Sequence, residues 1–551
     1  MRSDNPPHDP HHFPEDRRAA LWIRPQLLGV IALLVLAAVA IAWVQYLRHG
    51  LPPITVAQGS HVARPGFPLW LRLAHYFNFL FLVLLVRSGL SILMDHPRLY
   101  RKVDCTPDTE WIRFTPVPVP KNRMWTANDD QRYISPWLAL PGYRHTVGMA
   151  RHWHFMTDLF WLLNGLTYVV LLFVTGHWLR LVPTSFHILP QAWAIFVHYA
   201  TFHMPPEPDG FFSFNALQQL AYFAVVFLFA PLSIMTGIAM SPAFDNHLKW
   251  YPRMFGGKQS ARSIHFMLMI AYTVFLAIHV SLVATTGFAR NMNHIVFGTD
   301  NMSSSGIIVG SAGIAVVIAA CFAAYWLSWH RSRQIQKLAG TVVGGLTNRL
   351  LDPLAPRAQY SRDERSPYFW PNGIIPTSTE WVALLDDQFA SYRLRIHGLV
   401  AHPVDLSLAD LRAMTEQKQT TLHHCIQGWS GIAQWEGVKL SDIIALVRPF
   451  DSVQTIVFRS YGANATGSQY YETQNMRDAC HPQTILAYGM NDAPLGPVYG
   501  APLRLRVENQ LGYKMIKWIK EIEFVESEKN VGEGCGGIKE DEEFFDLTPN
   551  I

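Results

Sequence analysis

The chain has 551 residues, of which half are hydrophobic and 16% are charged, and its formal net charge is +4. This length predicts more than one domain, and the composition is more apolar than that of a soluble protein but less so than that of a pure membrane protein. We therefore expect a membrane part joined to a soluble part. The small net charge and the lack of a dense basic tract exclude nucleic acid as an expected partner. The five cysteines contain no CxxC pair, which excludes a disulfide framework and a common zinc pattern.

The N-terminal residues 1–25 are polar and rich in proline and histidine, and we predict that they are disordered. No small-residue cleavage site follows the first apolar run, so we interpret that run as a retained helix. Crossing a bilayer takes about 20 apolar residues. Six runs reach that length and predict a helical membrane domain at 26–335: residues 27–47, 69–94, 154–176, 218–240, 264–288 and 306–329.

The lysines and arginines near the helix ends are unevenly distributed between the two sides of the membrane. One side receives the N-terminus, the loops 95–153 and 241–263, and the segment after Trp329, and it carries most of these basic residues. By the positive-inside rule this side is expected to be cytoplasmic. We therefore predict a multi-pass protein of the bacterial inner membrane with both termini in the cytoplasm. If the C-terminal domain were periplasmic, the whole orientation would reverse.

Four histidines, His75, His154, His265 and His279, lie in or at the ends of the apolar runs, where a polar ring needs a reason to be. His265 and His279 share the fifth run, 14 residues apart. In an α-helix this spacing is about 21 Å along the axis and close to four turns. Both rings therefore leave one face at opposite depths, and each could bind the iron of a different haem. The helix directions pair His154 with His265 and His75 with His279, which predicts two bis-histidine haems.

Other roles for these residues remain open at the level of the sequence. Each histidine alone could be a polar group at a helix end, and it is their consistent pairing in depth that favours haem ligation. His152 competes with His154, which lies deeper and is preferred. Arg87, late in the second run, could meet a haem propionate or extend to a lipid phosphate.

The histidines lie in the stretches RLAHYFNFLFLVLLVRSGL, ARHWHFMTDLFWLLNGLTY and SIHFMLMIAYTVFLAIHV. Together with LAYFAVVFLFAPLSIMTGIAMSP, these resemble the cytochrome b subunits of nickel–iron hydrogenases and formate dehydrogenases, which are of the bacterial cytochrome b561 type. The resemblance covers about residues 68–290. It implies a four-helix bundle in which the four histidines bind two b haems that exchange electrons with quinone. The first and last apolar helices would be additions to that bundle.

Beyond the membrane domain, residues 336–366 are predicted to form a linker, 367–530 a soluble domain, and 531–551 an acidic, solvated tail. Alternating stretches at 392–400, 454–462 and 503–509 predict strands. Stretches at 407–414 and 440–447 predict short helices, each opened by a serine cap. The soluble domain is therefore expected to be mixed α+β and mainly β.

Cys425, in the stretch TLHHCIQGWSG, carries the chemistry that we predict for this domain. Considered alone, it is most simply a buried structural thiol. A soft thiolate also suits a molybdenum centre, in which the dithiolene of a pterin would supply two further sulfurs. Basic residues in the segment 499–522 could hold the phosphate of that pterin, namely Arg504, Lys514 and Lys517.

Three stretches carry a second resemblance: the Cys-x-x-x-Trp-Ser run at 425–430, HPQT at 481–484 and GAPLRL at 500–505. They resemble the sulfite oxidase superfamily, especially its bacterial branch with the catalytic subunit of the periplasmic methionine sulfoxide reductase. The resemblance covers about residues 369–526 and implies a molybdopterin domain. It implies Cys425 as the molybdenum ligand, and as pterin contacts it suggests Arg504, Lys517, Ser460 and Asn372.

The sequence also departs from that superfamily. Tyr499 stands where an asparagine or histidine often precedes the Gly-Ala-Pro run, and the arginine-rich run of true sulfite oxidases is missing. These departures argue against sulfite as the substrate.

The sequence thus predicts a membrane-bound oxidoreductase that couples oxygen-atom transfer at a molybdenum–pterin centre to the quinone pool through two b haems. Its expected partners are membrane lipid, a quinone or quinol, and a small oxo donor or acceptor, such as a sulfur or nitrogen oxo compound. A dedicated quinol-dependent reductase of S- or N-oxides is a variant of this hypothesis. The alternatives are an electron-transfer cytochrome b whose C-terminal domain docks partners without catalysis, and a haem-free membrane anchor.

Overall fold

The computed structural model describes residues 19–54, 66–102, 104–142, 147–205, 210–345, 359–464, 467–547 and 549–551. Within them, six helices are long and apolar enough to cross a membrane, and all six predicted spans are confirmed. In chain order they are α1 Pro25–His49, α2 Leu69–Asp95, α3 Val147–Thr175, α4 Ala216–Met240, α5 Lys258–Thr285 and α6 Ser305–His330.

Helices α3 and α5 begin earlier than predicted, at Val147 and Lys258 rather than at His154 and Ile264. Their first turns carry polar and basic residues, which lower the hydropathy but continue the helix because they contact other parts of the protein. His154 therefore lies about two turns inside α3 instead of at its start.

Helices α2 to α5 form the centre of the membrane domain. Helix α2 packs along α3, the second half of α4 packs along α5, and α6 packs against α2. Helix α4 contains a π-helical turn at Ala224–Phe229, just before Pro231. Helix α1 lies outside this group and packs against the short helix Ile188–Ala200, where the Trp43 indole donates to the carbonyl of Ala200. The arrangement agrees with a four-helix core and two added helices.

Short elements connect the spans on the side where α2 ends and α5 begins. Strands β1 Trp22–Ile23, β2 Arg98–Leu99 and β3 Ile112–Arg113 form a sheet in the order β1-β3-β2. The prediction of disorder for residues 1–25 is therefore wrong for 19–25, because β1 pairs with β3 and the ring of Trp22 lies under the guanidinium of Arg113. Residues 1–18 lie outside the described residues. Further helices connect or follow the spans at Ala127–Asp130, His177–Arg180, Pro242–His247, Trp250–Arg253, Phe288–Phe297, Ser332–Ala339 and Gly340–Gly344.

The C-terminal domain is mainly β, as predicted. One five-stranded sheet has the order β11-β10-β7-β6, with β12 also pairing with β10, and the other has the order β5-β4-β13-β8-β9. Buried aliphatic and aromatic side chains fill the core of this domain, because alternate residues of each strand face inward. The strands are β4 Arg393–Gly398, β5 Val404–Ser407, β6 Glu416–His424, β7 Ser430–Lys439, β8 Thr455–Ala463, β9 Gln469–Asn475, β10 Ile485–Met490, β11 Ala493–Pro494, β12 Arg504–Arg506 and β13 Ile519–Val525.

The helices of this domain are short. Ser407 caps the helix Leu408–Ala413 by accepting a hydrogen bond from the backbone of Asp410, as predicted. The predicted serine cap of the helix Leu440–Val447 is wrong, because that helix starts directly after Lys439, at the end of β7, without a side-chain cap. The remaining helices and turns are Arg362–Glu364, Thr379–Asp386, Met476–Ala479, Pro497–Tyr499, Gly512–Lys514, Glu528–Asn530 and Ile538–Glu542.

The acidic end of the chain is packed between the two domains, and the prediction of a solvated tail is wrong. Glu540 and Asp541 are buried. Their charges are accepted there because Lys514 pairs with Glu540 and the Tyr471 hydroxyl donates to Asp541. On the membrane side, Arg151 of α3 pairs with Asp546 at 3.0 Å. The tail therefore connects the soluble domain to the bundle.

Part of the predicted linker, residues 346–358, lies outside the described residues. The part before it continues the helix Ser332–Ala339, where the side chain of Gln336 donates to the carbonyls of Glu540 and Phe545. The part after it already joins the soluble domain, since the backbone of Tyr360 donates to that of Thr420 in β6.

Candidate functional site

The four histidines of the bundle meet in two facing pairs. The ring centres of His154 and His265 are 6.5 Å apart, and those of His75 and His279 are 6.2 Å apart. Two metal–imidazole bonds of about 2 Å, with about 1 Å from each nitrogen to its ring centre, add up to roughly 6 Å. Each pair therefore has the separation that one haem iron between two axial imidazoles requires. We call His154 and His265 the near pair, and His75 and His279 the far pair.

Hydroxyl groups orient both rings of the near pair. His154 Nδ1 lies 2.9 Å from Ser88 Oγ, and His265 Nδ1 lies 3.0 Å from Thr236 Oγ1. Each hydroxyl donates its own hydrogen to a helix carbonyl, Ser88 to Leu84 and Thr236 to Leu232. The hydroxyl oxygens must therefore accept from the Nδ1–H groups, which leaves both Nε2 lone pairs for a metal.

The far pair has more aromatic surroundings. The ring of Phe275 stacks on that of His279 at 5.6 Å, with an angle of 11° between the planes. The Tyr222 hydroxyl lies 3.4 Å from His279 Nδ1, which is long for a hydrogen bond. The far pair is therefore held mainly by ring packing, whereas the near pair is held by hydrogen bonds.

The structure places His152, which competes with His154 as a candidate haem ligand, in different surroundings from those of His154. His152 is buried beside the C-terminal tail, with Nδ1 2.6 Å from the carbonyl of Gly148 and 3.7 Å from Asp546 Oδ1. It therefore faces away from His265. Arg87 donates to the carbonyls of Cys321, Pro136 and Ala139. It therefore joins α2 to α6 and to the loop between α2 and α3.

Cys425 lies in the tight turn between β6 and β7. Its backbone N–H donates to the carbonyl of Trp429 at 3.1 Å, and Gly428 has a φ of +107°, which a residue with a side chain rarely adopts. The sulfur lies 3.9 Å from Asn372 Nδ2 and 3.7 Å from Gln427 Oε1. Burial raises the pKa of the Cys425 thiol to about 12, against the opposing effects of the Gln427 backbone and of nearby Lys258.

Two buried cations lie on the same side of this domain. Lys517 Nζ donates to the carbonyls of Asn372 and Val498, and the guanidinium of Arg504 donates to the carbonyl of Tyr499 and lies over the ring of Trp435. Burial lowers the pKa of both groups.

Among the described residues, no carboxylate forms an ion pair with Arg504 or Lys517, and Arg504 Nε has no hydrogen-bond partner. Buried cations without an ion-paired carboxylate are costly, and the nearby Glu508 offsets only part of the burial of Arg504. The donor set therefore fits an anionic group such as a pterin phosphate, and Asn372 connects it to Cys425.

The remaining two predicted pterin contacts are engaged elsewhere. Ser460 Oγ donates to the carbonyl of Lys517 and accepts from the backbone of Gly462, so it supports the backbone behind Lys517. Lys514 Nζ lies 2.7 Å from Glu472 and 2.8 Å from Glu540. Although burial opposes it, these two carboxylates raise the pKa of Lys514. Cys425, Asn372, Lys517 and Arg504 thus lie together in the structure, whereas Lys514 forms an ion pair with Glu540 of the C-terminal tail.

Several polar residues around Cys425 were not identified from the sequence. His424 Nδ1 lies 3.2 Å from Lys258 Nζ, and His423 Nδ1 lies 3.0 Å from a guanidinium nitrogen of Arg506. Burial lowers the pKa of both histidines, which are therefore neutral. The adjacent histidines before the cysteine were a visible signal, but their partners come from distant segments.

The first turn of α5 contacts the cysteine turn directly. Gln259 Nε2 donates to the carbonyl of Gly428 at 3.0 Å and to Ser430 Oγ at 3.1 Å. Arg262 lies against Gly428 and donates to the carbonyls of His96 and Arg98. In the sequence, Arg262 contributed only to the charge pattern that predicts orientation, and Gln259 was not identified.

Comparisons with known proteins agree with both halves of this description. Residues 66–298 match the family described as prokaryotic cytochrome b561, and residues 381–531 match the oxidoreductase molybdopterin-binding domain. The chain is therefore a fusion of a cytochrome b561-type membrane domain and a molybdopterin-binding oxidoreductase domain, as both resemblances predicted. These families imply haem b and a molybdenum–pterin group as cofactors.

Three curated relatives are each similar to about a quarter of the chain. One, from Azospira oryzae, carries the name of a protein-methionine-sulfoxide reductase subunit, YedZ1, and is 34% identical over 133 residues, which are 24% of this chain and 48% of its own. The protein-methionine-sulfoxide reductase catalytic subunits MsrP of Campylobacter jejuni and Xanthomonas campestris are 28% and 30% identical over 149 residues, which are 25% of this chain and 50% and 46% of theirs. The chain thus spans about half the length of these relatives.

Proposed function

We propose that this protein is a molybdopterin-dependent oxidoreductase of the membrane that exchanges an oxygen atom with a sulfur or nitrogen oxo compound. We further propose that it exchanges the electrons with the quinone pool through two b haems. The names of the relatives, which are methionine sulfoxide reductases, favour reduction of the substrate.

The observation that carries this proposal is that α5 serves both centres. Its Gln259 binds the turn that holds Cys425, and its His265 belongs to the near pair. They are six positions apart, which is about 9 Å along a helix axis. One rigid element thus holds the Cys425 turn beside the near pair, an arrangement that a docking module without catalysis would not need.

Each part of the site has a role that its residues can perform. Cys425 would bind molybdenum as thiolate, while Arg504 and Lys517 would hold the pterin phosphate. Once bound, the molybdenum–pterin group supplies two-electron oxygen-atom transfer, and haem supplies transfer of single electrons. Burial keeps the free thiol of Cys425 protonated, so binding of the metal would release the proton of this thiol. The positive charge of nearby Lys258 favours the thiolate form of Cys425.

The far pair would communicate with quinone. His75 and His279 lie about four turns of α5 away from the near pair. A quinone dissolved in the lipid would approach this end of the bundle, whereas the near pair lies beside the soluble domain.

We propose that the soluble domain lies in the bacterial cytoplasm, on the side that carries most of the basic loops. Cys480 is exposed on that domain and allows a direct test. A thiol reagent that cannot cross membranes should label Cys480 in inverted inner-membrane vesicles and spare it in right-side-out vesicles. Labelling only in right-side-out vesicles would place the domain in the periplasm.

The decisive experiment is the metal content of the detergent-purified chain, produced in a host that makes the molybdenum cofactor. We expect two iron atoms and one molybdenum atom per chain in the wild type. In Cys425→Ala we expect the molybdenum to be lost and the haem spectrum to be retained. Iron without molybdenum in the wild type would refute the proposed molybdenum-dependent activity and would support an electron-transfer module.

A further inference from the structure

The turn that carries Cys425 is covered by the membrane domain. We call residues 96–102 and 104–133, which follow α2, together with the first turn of α5, 258–262, the cover. The backbone of Ala127 donates to the carbonyl of Pro371 at 2.9 Å, next to Asn372. The side chain of Gln427, two residues after the cysteine, donates to Asn128 at 3.3 Å. On another side of the turn, Gln259 binds Gly428 and Ser430.

The cover forms a continuous buried core with the soluble domain. Its apolar side chains Tyr100, Cys105, Trp125 and Ala127 belong to one cluster with Trp370, Cys425 and Trp429 of the domain. The indole N–H of Trp370 donates to the carbonyl of Cys105 at 2.7 Å. Packing of this kind leaves no open groove for a polypeptide between the cover and the domain, because protein interiors have few voids.

The cover is also internally braced. Arg98 is fully buried and binds Asp130 at 2.8 Å and Glu110 at 2.6 Å. Thr126 and Asp129 form a reciprocal capping box on the helix that carries Asn128. Breaking a buried ion pair is costly, so the cover should keep its position while substrates bind and leave.

The burial of the cysteine turn under the cover bears on the size of the substrate that can reach it. Cys425 is only 6% exposed and Trp429 only 1%. A methionine sulfoxide within a polypeptide needs an open groove at the reacting atom, because the backbone continues in both directions. We infer that the cover restricts this site to small free oxo compounds and excludes polypeptide-bound sulfoxides, so that the membrane domain itself determines specificity. This inference rests on the proposed function.

The reaction so restricted balances with quinol as the reductant. The sulfur–oxygen or nitrogen–oxygen bond of the substrate breaks, and the oxygen leaves as water after taking up two protons. The substrate gains two electrons, while quinol loses two electrons and two protons and becomes quinone.

Activity provides the first test, on the full-length holoenzyme in detergent with dithionite-reduced viologen as donor. The substrates are free methionine sulfoxide and a long synthetic peptide with one central methionine sulfoxide. We expect kcat/KM for the free amino acid to exceed that for the peptide by at least about 100-fold. Comparable values, or a preference for the peptide, would overturn the inference. Failure to reduce either substrate, with molybdenum present, would count against the proposed function, and the size restriction would then be decided by thiol labelling.

Thiol labelling tests the cover without turnover, on the full chain prepared free of molybdenum cofactor. Exposed Cys480 is the internal reference. We expect a polyethylene glycol maleimide to modify Cys480 and spare Cys425, while small methyl methanethiosulfonate slowly reaches both, as read by peptide mass spectrometry. Equal labelling of the two cysteines by the bulky reagent would refute the inference that the cover keeps large molecules away from Cys425.

A variant sharpens the labelling experiment. Asn128→Ala combined with Gln259→Ala removes hydrogen bonds between the cover and the turn, and should increase bulky labelling of Cys425 by about tenfold. Asn301→Ala combined with Gln417→Ala changes the same residue types elsewhere and should have no effect. An unchanged labelling rate in the first variant would show that these contacts do not close the site. If that variant does not fold, the wild-type comparison of the two reagents still decides.

Discussion

The two histidine pairs have nearly the same ring separation but different supports. Each imidazole of the near pair, His154 and His265, is fixed by a hydroxyl group whose own hydrogen is committed to a helix carbonyl. In the far pair, His279 is stacked on Phe275 and has only a long contact to the hydroxyl of Tyr222. The near pair is thus held at a fixed tautomer and angle, and the far pair is held by ring packing.

The difference agrees with the place of each pair in the molecule. The near pair lies beside a braced domain interface, where under the proposed function a fixed distance to the molybdenum site would set the rate of electron transfer. The far pair lies at the end of the bundle that would exchange electrons with a mobile quinone. One fold can thus support two like histidine pairs differently, through hydroxyl groups in one pair and a stacked ring in the other.

The largest effect should come from removing a near ligand. In His265→Ala, one of two haems should be lost, so that iron per chain and the absorption of the haem band fall by half. Oxidation of quinol by substrate should stop, while substrate reduction with viologen as direct donor continues. Haem content and quinol oxidation measured on one preparation check this.

His279→Ala is the matched control, because it removes a ligand from the same helix at the far end. It should also lose one haem, yet the remaining haem should still be oxidised by substrate in a single turnover. If substrate oxidised the remaining haem equally in both variants, the order of the two sites would be wrong. An unchanged spectrum in either would refute its ligand.

The second effect concerns the hydroxyl support of the near pair. Thr236→Val keeps the shape of the side chain but removes the oxygen that accepts from His265, and loss of such a partner lowers metal affinity by about 10- to 100-fold. Titration of the haem-free protein with haem should show this weakening for one site only. Thr273→Val, also on a span and bonded only to the carbonyl of Met269, is the control and should bind both haems normally. Equal weakening of both sites would contradict a support specific to the near pair.

The third effect concerns the contact between α5 and the cysteine turn. Gln259→Ala removes two hydrogen bonds, worth about 1 kcal/mol each, that hold the cysteine turn against α5. Because the turn is then held less firmly beside the near pair, electron exchange between substrate and the near haem should slow. Stopped-flow absorption of the haem band measures this rate. Gln417→Ala, at the end of β6 that lies away from the cysteine turn, should leave this rate unchanged. Unchanged transfer in Gln259→Ala would mean that the contact does not position the two centres.

The spans and the histidine pairs could be predicted from sequence because they depend on local period. About 20 apolar residues define a span, and the 14-residue interval between His265 and His279 defines a face. Cys425 and its nearest basic partners could be proposed because short motifs carry them. Ser460 and Lys514 show the limit of that reasoning, since their partners, Lys517 and Glu540, depend on tertiary contacts.

The cover and the packed tail could not be predicted for the same reason. Arg98 meets Asp130 across 32 residues, and Arg151 meets Asp546 across 395. A charged residue in a loop or tail looks solvated until its partner is known, because the desolvation cost is offset only in the folded molecule. Sequence therefore indicated the chemistry of each half, while the structure showed how the halves join.

The smallest effect tests the far pair. Tyr222→Phe removes a hydroxyl that lies 3.4 Å from His279 and accepts a hydrogen bond from Gln218 Nε2 at 3.0 Å. His279 itself loses little hydrogen-bond energy, because its contact is long, and the stacked Phe275 remains. We expect both haems to be retained, with affinity at the far site reduced by no more than about threefold. Tyr325→Phe on α6 is the control and should match the wild type in the same haem titration. A loss as large as that in Thr236→Val would show that the Tyr222 hydroxyl supports His279 as strongly as Thr236 supports His265. The two pairs would then be equally rigid, and the exchange of electrons with quinone would need another explanation than a looser far site.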